Sequence, residues 1–208
     1  MSLYLKWTNP GRVPSYQGGL AIPLTGWTAR RPDPVVCLRG WHACRWEDAV
    51  RHIAAELWVC ELDGKIVTGQ DKVAAERLRL VERVTAINDR TLRLFAADCA
   101  ESVLHLFEAV RPNDDRPRLA IVAARAYANG EITDAARDAA WGAAWDAARG
   151  ARAAAREAAG EAARAAAGEA ADAAWTAARD AAWPGQTHNL LVNYAGLDPA
   201  LFAHRVQP

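Results

Sequence analysis

The stretch ELWVCELDGKIVTG, residues 56–69, decides how the N-terminal half of the chain is read. Two β-rich runs, ELWVCEL and KIVTG, flank Asp63-Gly64, a dipeptide that tolerates the positive φ a two-residue hairpin turn demands. The spacing therefore predicts a hairpin centred on that pair. Along the first run Trp58, Cys60 and Leu62 share one face while Leu57 and Val59 share the other, so both faces are expected to be covered. Downstream, RLRLVERV (77–84) alternates Leu78, Leu80 and Val84 against Arg77, Arg79 and Arg83, as a strand with one wet face would. Upstream, WEDAVRHIAAE reads as an amphipathic helix with Ala49, Ile53 and Ala54 inward, and PVVCLRG as a short strand ended by Gly40. Five of the ten prolines fall in the first 34 residues, which read as a long irregular opening pinned by Trp7 and Trp27.

The 208 residues are half apolar and can bury a core. Lys plus Arg and Asp plus Glu balance at 25 each, so no long-range field gathers nucleic acid or an anionic membrane, and neither is expected as a partner. The N-terminus has no apolar segment of signal-peptide length, and no run approaches the ~20 apolar residues of a membrane span. A cytoplasmic location is the corresponding expectation. Cys37, Cys44, Cys60 and Cys99 lack the dense spacing of a disulfide scaffold and are expected as thiols.

The second half is helical in pattern. In NDRTLRLFAADCAESVLHLFEAV the apolar positions Leu92, Phe95, Ala96, Cys99, Val103, Leu106 and Val110 recur at steps of three and four. RPNDDRPRLAIVAARAYANG supplies a turn and a second helix: Asp114 and Asp115 suit the cap, Pro117 the first turn, Asn129-Gly130 the exit. From Glu131 to Trp183 about half the residues are alanine, and the larger residues between them recur at a mean step of about 3.8, close to a helical turn. One continuous rod of that length would be roughly 80 Å long, so breaks are expected at Gly150, Gly160 or Gly168. Alanine propagates helix and admits close backbone approach but buries little area. An antiparallel hairpin closed by an aromatic clamp of Trp141, Trp145, Trp175 and Trp183 would offset that shortfall. The fold class expected is α+β: a small α+β domain at 1–86, then a mostly helical, alanine-rich bundle at 87–208, with the terminal QTHNLLVNY helix folded back on the bundle.

Three constellations bear on function. Asp98, Glu101, His105 and Glu108 fall on one stripe of a helix, with Arg116, Arg118 and Arg125 on the next. Such a stripe can hold a divalent metal, but solvation or ion pairing with the three arginines is the reading adopted, fixing the angle between the helices. Cys37, His42, Cys44 and Cys60 match no tight zinc knuckle, and no metal or cofactor is assigned. Finally, the strand, Gly40-Trp41-His42 turn, helix and hairpin broadly resemble half of an ADP-ribosyltransferase core, which implies an alternative ligand site at His42 and Trp41; its catalytic carboxylate cannot be chosen among Glu56, Glu61 and Glu82. The plainer reading is a tight turn with a packed aromatic.

Residues 94–132, LFAADCAESVLHLFEAVRPNDDRPRLAIVAARAYANGEI, carry an ADCAE and VL-x-LFE helix, then P-x-D-x-RPR-x-AI-x-AAR and a GEI link. Followed by alanine-rich helices, this pattern resembles the immunity proteins of bacterial polymorphic toxin systems. The resemblance implies a non-catalytic protein that binds and neutralises a toxin or effector, with no catalytic residue. The first half is similar to an uncharacterised domain of phages and bacteria, which lends no activity. Two alternatives stand beside it: an ADP-ribosyltransferase-like or nucleotide-binding enzyme centred on His42, and a scaffold that self-associates through its alanine helices.

Overall fold

The structure is a computed structural model that describes residues 2–15, 19–140, 142 and 184–202. Two compact units divide the chain, Met1–Asn88 with Trp183–Pro208, and Asp89–Ala182. The α+β class is observed, with an antiparallel sheet in the first unit and helices in the second. The alanine-rich bundle, its glycine breaks and the Trp141, Trp145, Trp175 and Trp183 clamp lie outside the described residues, apart from helical residues 134–140 at the start of the run.

In the first unit, β1 (Leu3–Asn9), β2 (Val13–Pro14), β3 (Trp41–Ala43), β4 (Glu56–Thr68) and β5 (Val73–Arg83) form one sheet in the order β2-β1-β4-β5-β3. The expected hairpin exists, but its turn does not lie at Asp63-Gly64. β4 runs straight through that pair, and the chain reverses at 69–72, where the Gly69 amide donates to the Lys72 carbonyl at 2.8 Å. Registers of Leu62 with Leu78 and Cys60 with Leu80 explain the difference, because they seat both apolar faces of the longer strands together. Between Asp63↔Arg77 and Ile66↔Ala75 two residues of β4 oppose one of β5, so Gly64 forms a β-bulge at φ 78°. The positive φ that suggested a turn is used to bend a strand.

The bulge lets the sheet curl. β3 pairs with β5 from Trp41↔Ala75 to Ala43↔Val73, and the next residue, Cys44, exchanges two backbone hydrogen bonds with Leu5 of β1 at 2.8 and 2.9 Å. Inside the curl Trp41, Trp58, Cys60, Leu78 and Leu80 pack with Ile22. Leu5, Trp7, Leu57 and Val59 are buried on the other face, so both faces are covered as expected. That second face is covered in part by the C-terminal segment. The 3₁₀ turns Trp46–His52 and Pro199–Phe202 both contact β1, the Thr187 hydroxyl donates to the Glu47 carbonyl, and Trp46 stacks on Phe202 at 5.2 Å. The QTHNLLVNY segment thus returns to the sheet rather than to the helices, because Leu190 and Leu191 are fully buried there.

Three further expectations change. The first residues are not irregular throughout: Leu3–Asn9 is a strand paired with β4, and the Trp7 indole donates to the Ala49 carbonyl at 2.9 Å. WEDAVRH winds as a 3₁₀ helix that buries Ala49, whereas Ile53 is exposed. PVVCLRG is a turn closed by Val35 and Arg39, and His42 lies in β3, not in a turn.

Glu56 ties the start of β4 to the end of β1. Its carboxylate accepts from the Thr8 hydroxyl, the Gly11 and Arg12 amides and the Trp58 indole at 3.1–3.3 Å, and pairs with Arg83 at 3.4 Å. Burial by itself would raise its pKa, but the donations from Gly11, Trp58, Arg12 and Thr8 outweigh that and hold it below the ordinary glutamate value.

Two outcomes test this arrangement. Gly64→Ala should destabilise the sheet unit by about 1–2 kcal/mol in chemical denaturation, since an L-residue is strained at that φ and its Cβ would lie 2.9 Å from the Cβ of Glu76. Glu56→Gln should cost about 2 kcal/mol at neutral pH. Because the folded pKa is depressed, wild-type stabilisation is complete above the ordinary value of 4.5 and is lost as pH falls through the folded value, so the two melting curves should converge in acid.

Candidate functional site

The second unit begins with α1 (Asp89–Val110) and α2 (Arg116–Ala128). Asp114 accepts the Arg116 amide at 3.3 Å and its guanidinium at 2.7–2.8 Å, which opens α2 next to Pro117. At the other end Gly130, at φ 75°, donates to the Tyr127 carbonyl while Glu131 donates to that of Ala126, the paired bonds of a glycine-terminated helix. Beyond it the Tyr127 ring lies under Arg93 and Arg137, 4.7 and 4.3 Å from their guanidinium carbons.

Between the helices Ala97, Leu104 and Ile121 form a small buried cluster with Ala124 against it. This face is rotated from the expected one, for Val103 is 48 % exposed. The polar stripe flanks the cluster. Arg125 reaches Asp98 at 2.7 Å and both oxygens of Glu101 at 2.7 and 3.0 Å, and Arg118 reaches Glu108 at 2.5–2.9 Å. Arg90 bonds the Asn129 side chain, so partners advance along α2 as they recede along α1, and the pair is antiparallel. Arg116 is engaged by Asp114 in the loop before α2, and His105 is exposed. Hydrogen bonds from Arg125 hold the Glu101 carboxyl below its usual pKa, and those from Glu101 and Asp98 push the Arg125 guanidinium up.

These groups neutralise one another in pairs across the two helices. Only two carboxylates converge on Arg125, and among the described residues no group of three or more His, Cys, Asp or Glu could hold a metal ion.

The alternative site at His42 and Trp41 has a different character. The His42 Nε2 accepts the Cys37 amide at 3.0 Å and the ring also bonds the Val35 carbonyl, so the imidazole pins the 35–39 turn. Burial, then Lys6 and Lys72, lower its pKa. The Trp41 indole donates to Ala29 and its ring stacks under Arg31 at 3.9 Å. Of the carboxylates an ADP-ribosyltransferase reading would need, Glu56 is engaged as above, Glu61 pairs with Arg79, and Glu82 is exposed on β5. None lines the cavity that contains His42. The cysteines are free thiols; burial pushes Cys44 up to about 12 and Cys60 higher still, so neither offers a thiolate near neutral pH.

Residues 82–181 match the family model described as "Imm-5 like putative immunity protein". The match nearly coincides with the second structural unit, and it contains the whole Arg–carboxylate seam. No curated protein and no solved structure gives a significant match to the chain. Among the described residues no helix is long and apolar enough to cross a membrane.

The seam predicts a salt-sensitive contribution to stability. Arg125→Met should lower the thermal midpoint of the helical unit by a few degrees in dilute buffer, and the gap from wild type should narrow at high salt, as screening removes what the exposed pairs contribute.

Proposed function

We propose that the protein is a non-catalytic immunity protein that binds a toxin or effector protein and neutralises it by covering its working surface. The observation that carries this reading is the Imm-5-like family match over 82–181. The local chemistry supports it: the helical pair spends its charged groups on one another and so holds a fixed surface, as steric occlusion requires. On that pair Leu119 and Val122 are 52 % and 57 % exposed, one turn apart on α2. Apolar side chains of this kind, rimmed by charge, are where a partner would gain most of its affinity. Exposed carboxylates of the helical half, and those of Trp141, Trp145, Trp175 and Trp183 that stay unpaired, would complete the interface; a cytoplasmic site of action goes with this reading.

Co-expression with the toxin encoded by the adjacent gene tests it. Growth should be rescued and an equimolar complex should co-purify. Leu119→Arg combined with Val122→Arg should weaken the complex by about tenfold or more without lowering the melting temperature. Failure to rescue cells from any adjacent product would remove the reading. A concentration-dependent mass of the isolated protein in light scattering would instead favour the self-associating scaffold.

A further inference from the structure

The curl of the sheet closes at a single bridge, Leu5 with Cys44, and along that seam lies a cavity of about 640 Å³. Its wall includes Lys6 of β1, Trp41 and His42 of β3, Arg31 and Lys72. The volume is that of a small-molecule site rather than a packing defect. Leu20 is 91 % exposed and belongs to the wall, so the cavity reaches the surface beside an apolar residue.

Lys6 is the unexplained group. Register places it opposite Trp58, on the strand face that looks into the curl with Tyr4 and Cys60. It has no hydrogen-bond or ion-pair partner among the described residues. No aspartate or glutamate is among the described residues that line the cavity, whereas Arg31, Lys72, His42 and His52 are. Those neighbours are already engaged: Arg31 with Trp41 and the Gly40 carbonyl, Lys72 with Asp71, His42 with the 35–39 turn, His52 with the Asp71 carbonyl. An ammonium facing other cations in a partly dry cavity costs free energy, and exposed positions on the same strand could hold a lysine at none. Only three of the chain's 25 basic residues are lysines, and two of them line this cavity. Lysine, unlike the arginine used nearly everywhere else, presents a compact charge on a flexible stem.

We infer that the sheet unit binds a small organic anion, one carboxylate or phosphate carried on an apolar or planar body, with the anionic group against Lys6 Nζ and the body along Trp41 and Leu20. The site is separate from the helical surface assigned to the toxin and does not depend on that reading. Burial, with Arg31 and Lys72 close by, draws the Lys6 pKa below the usual lysine value, and an anion beside it would reverse that pull.

The test uses the full chain and two fluorescent probes that share a ring system: 1-anilinonaphthalene-8-sulfonate, an anion, and N-phenyl-1-naphthylamine, which is neutral. Wild type should bind one sulfonate per chain. Lys6→Met should weaken the sulfonate by about tenfold or more while leaving the neutral amine within about twofold, and Lys65→Met, which removes a charge outside the cavity, should change neither. Lys6→Met should melt no lower than wild type, since a half-buried charge without an acidic partner among the described residues is removed. In wild type, pyridoxal 5′-phosphate followed by borohydride should label Lys6, and the sulfonate should suppress that labelling; this arm needs no variant to fold. Sulfonate binding indifferent to Lys6→Met, an equal fall for both probes, or labelling confined to Lys65 would each overturn the inference.

Discussion

The constraint on which the sheet unit depends is the pairing of β4 with β5 around the Gly64 bulge. Two long strands in strict register would keep only the ordinary twist of a regular ladder. The extra residue at Gly64 bends β4 beside Glu76, which lets β3 pair with the far end of β5 and brings Cys44 back to Leu5. The curl encloses Trp41, Trp58 and Leu80, and the cavity lies along its closing seam. Glu56 completes the frame from the other side by collecting donors from β1, from the turn after it and from β4.

The helical pair is built on a different economy of interactions. Its apolar contact is narrow, with Ala97, Leu104 and Ile121 at the centre, and the Arg125 and Arg118 pairs border it. Individually such exposed pairs add little stability. Their value lies in direction, since Arg125 must reach Asp98 and Glu101 together, which restricts how the helices can slide. This seam lies wholly within residues 82–181, the part matched to the immunity-protein family.

The two units therefore offer different kinds of site. In the helical unit opposite charges are matched, and Leu119 and Val122 stand on the surface. In the sheet unit the described lining of the cavity includes Lys6, Arg31 and Lys72 and no aspartate or glutamate, which is the ground for the anion inferred there. His42, the residue through which the sequence pointed to this region, serves as a support for a turn, while the group with chemistry to spare is Lys6.

The sequence by itself determined the α+β class, the alternation of β5 as far as Leu80, the start and end of α2, and the immunity-family pattern of 94–132, because each rests on local periodicity or on residues with strong backbone preferences such as Pro117 and Gly130; past Leu80 a register shift at Val81 sets Arg83 opposite Trp58, on the Leu80 face. It also showed that Asp98, Glu101 and Glu108 share a stripe with arginines in reach, since i, i+3 and i+10 spacing fixes a helix face. Only the tertiary structure decided that Asp63-Gly64 bends a strand instead of turning it, that Leu3–Asn9 is a strand within the sheet, and that the C-terminal segment covers that sheet. A positive φ serves a turn and a bulge equally well, and the choice is made by which apolar side chains find partners far along the chain. For the same reason nothing within a few positions of Lys6 reveals that its strand face turns inward.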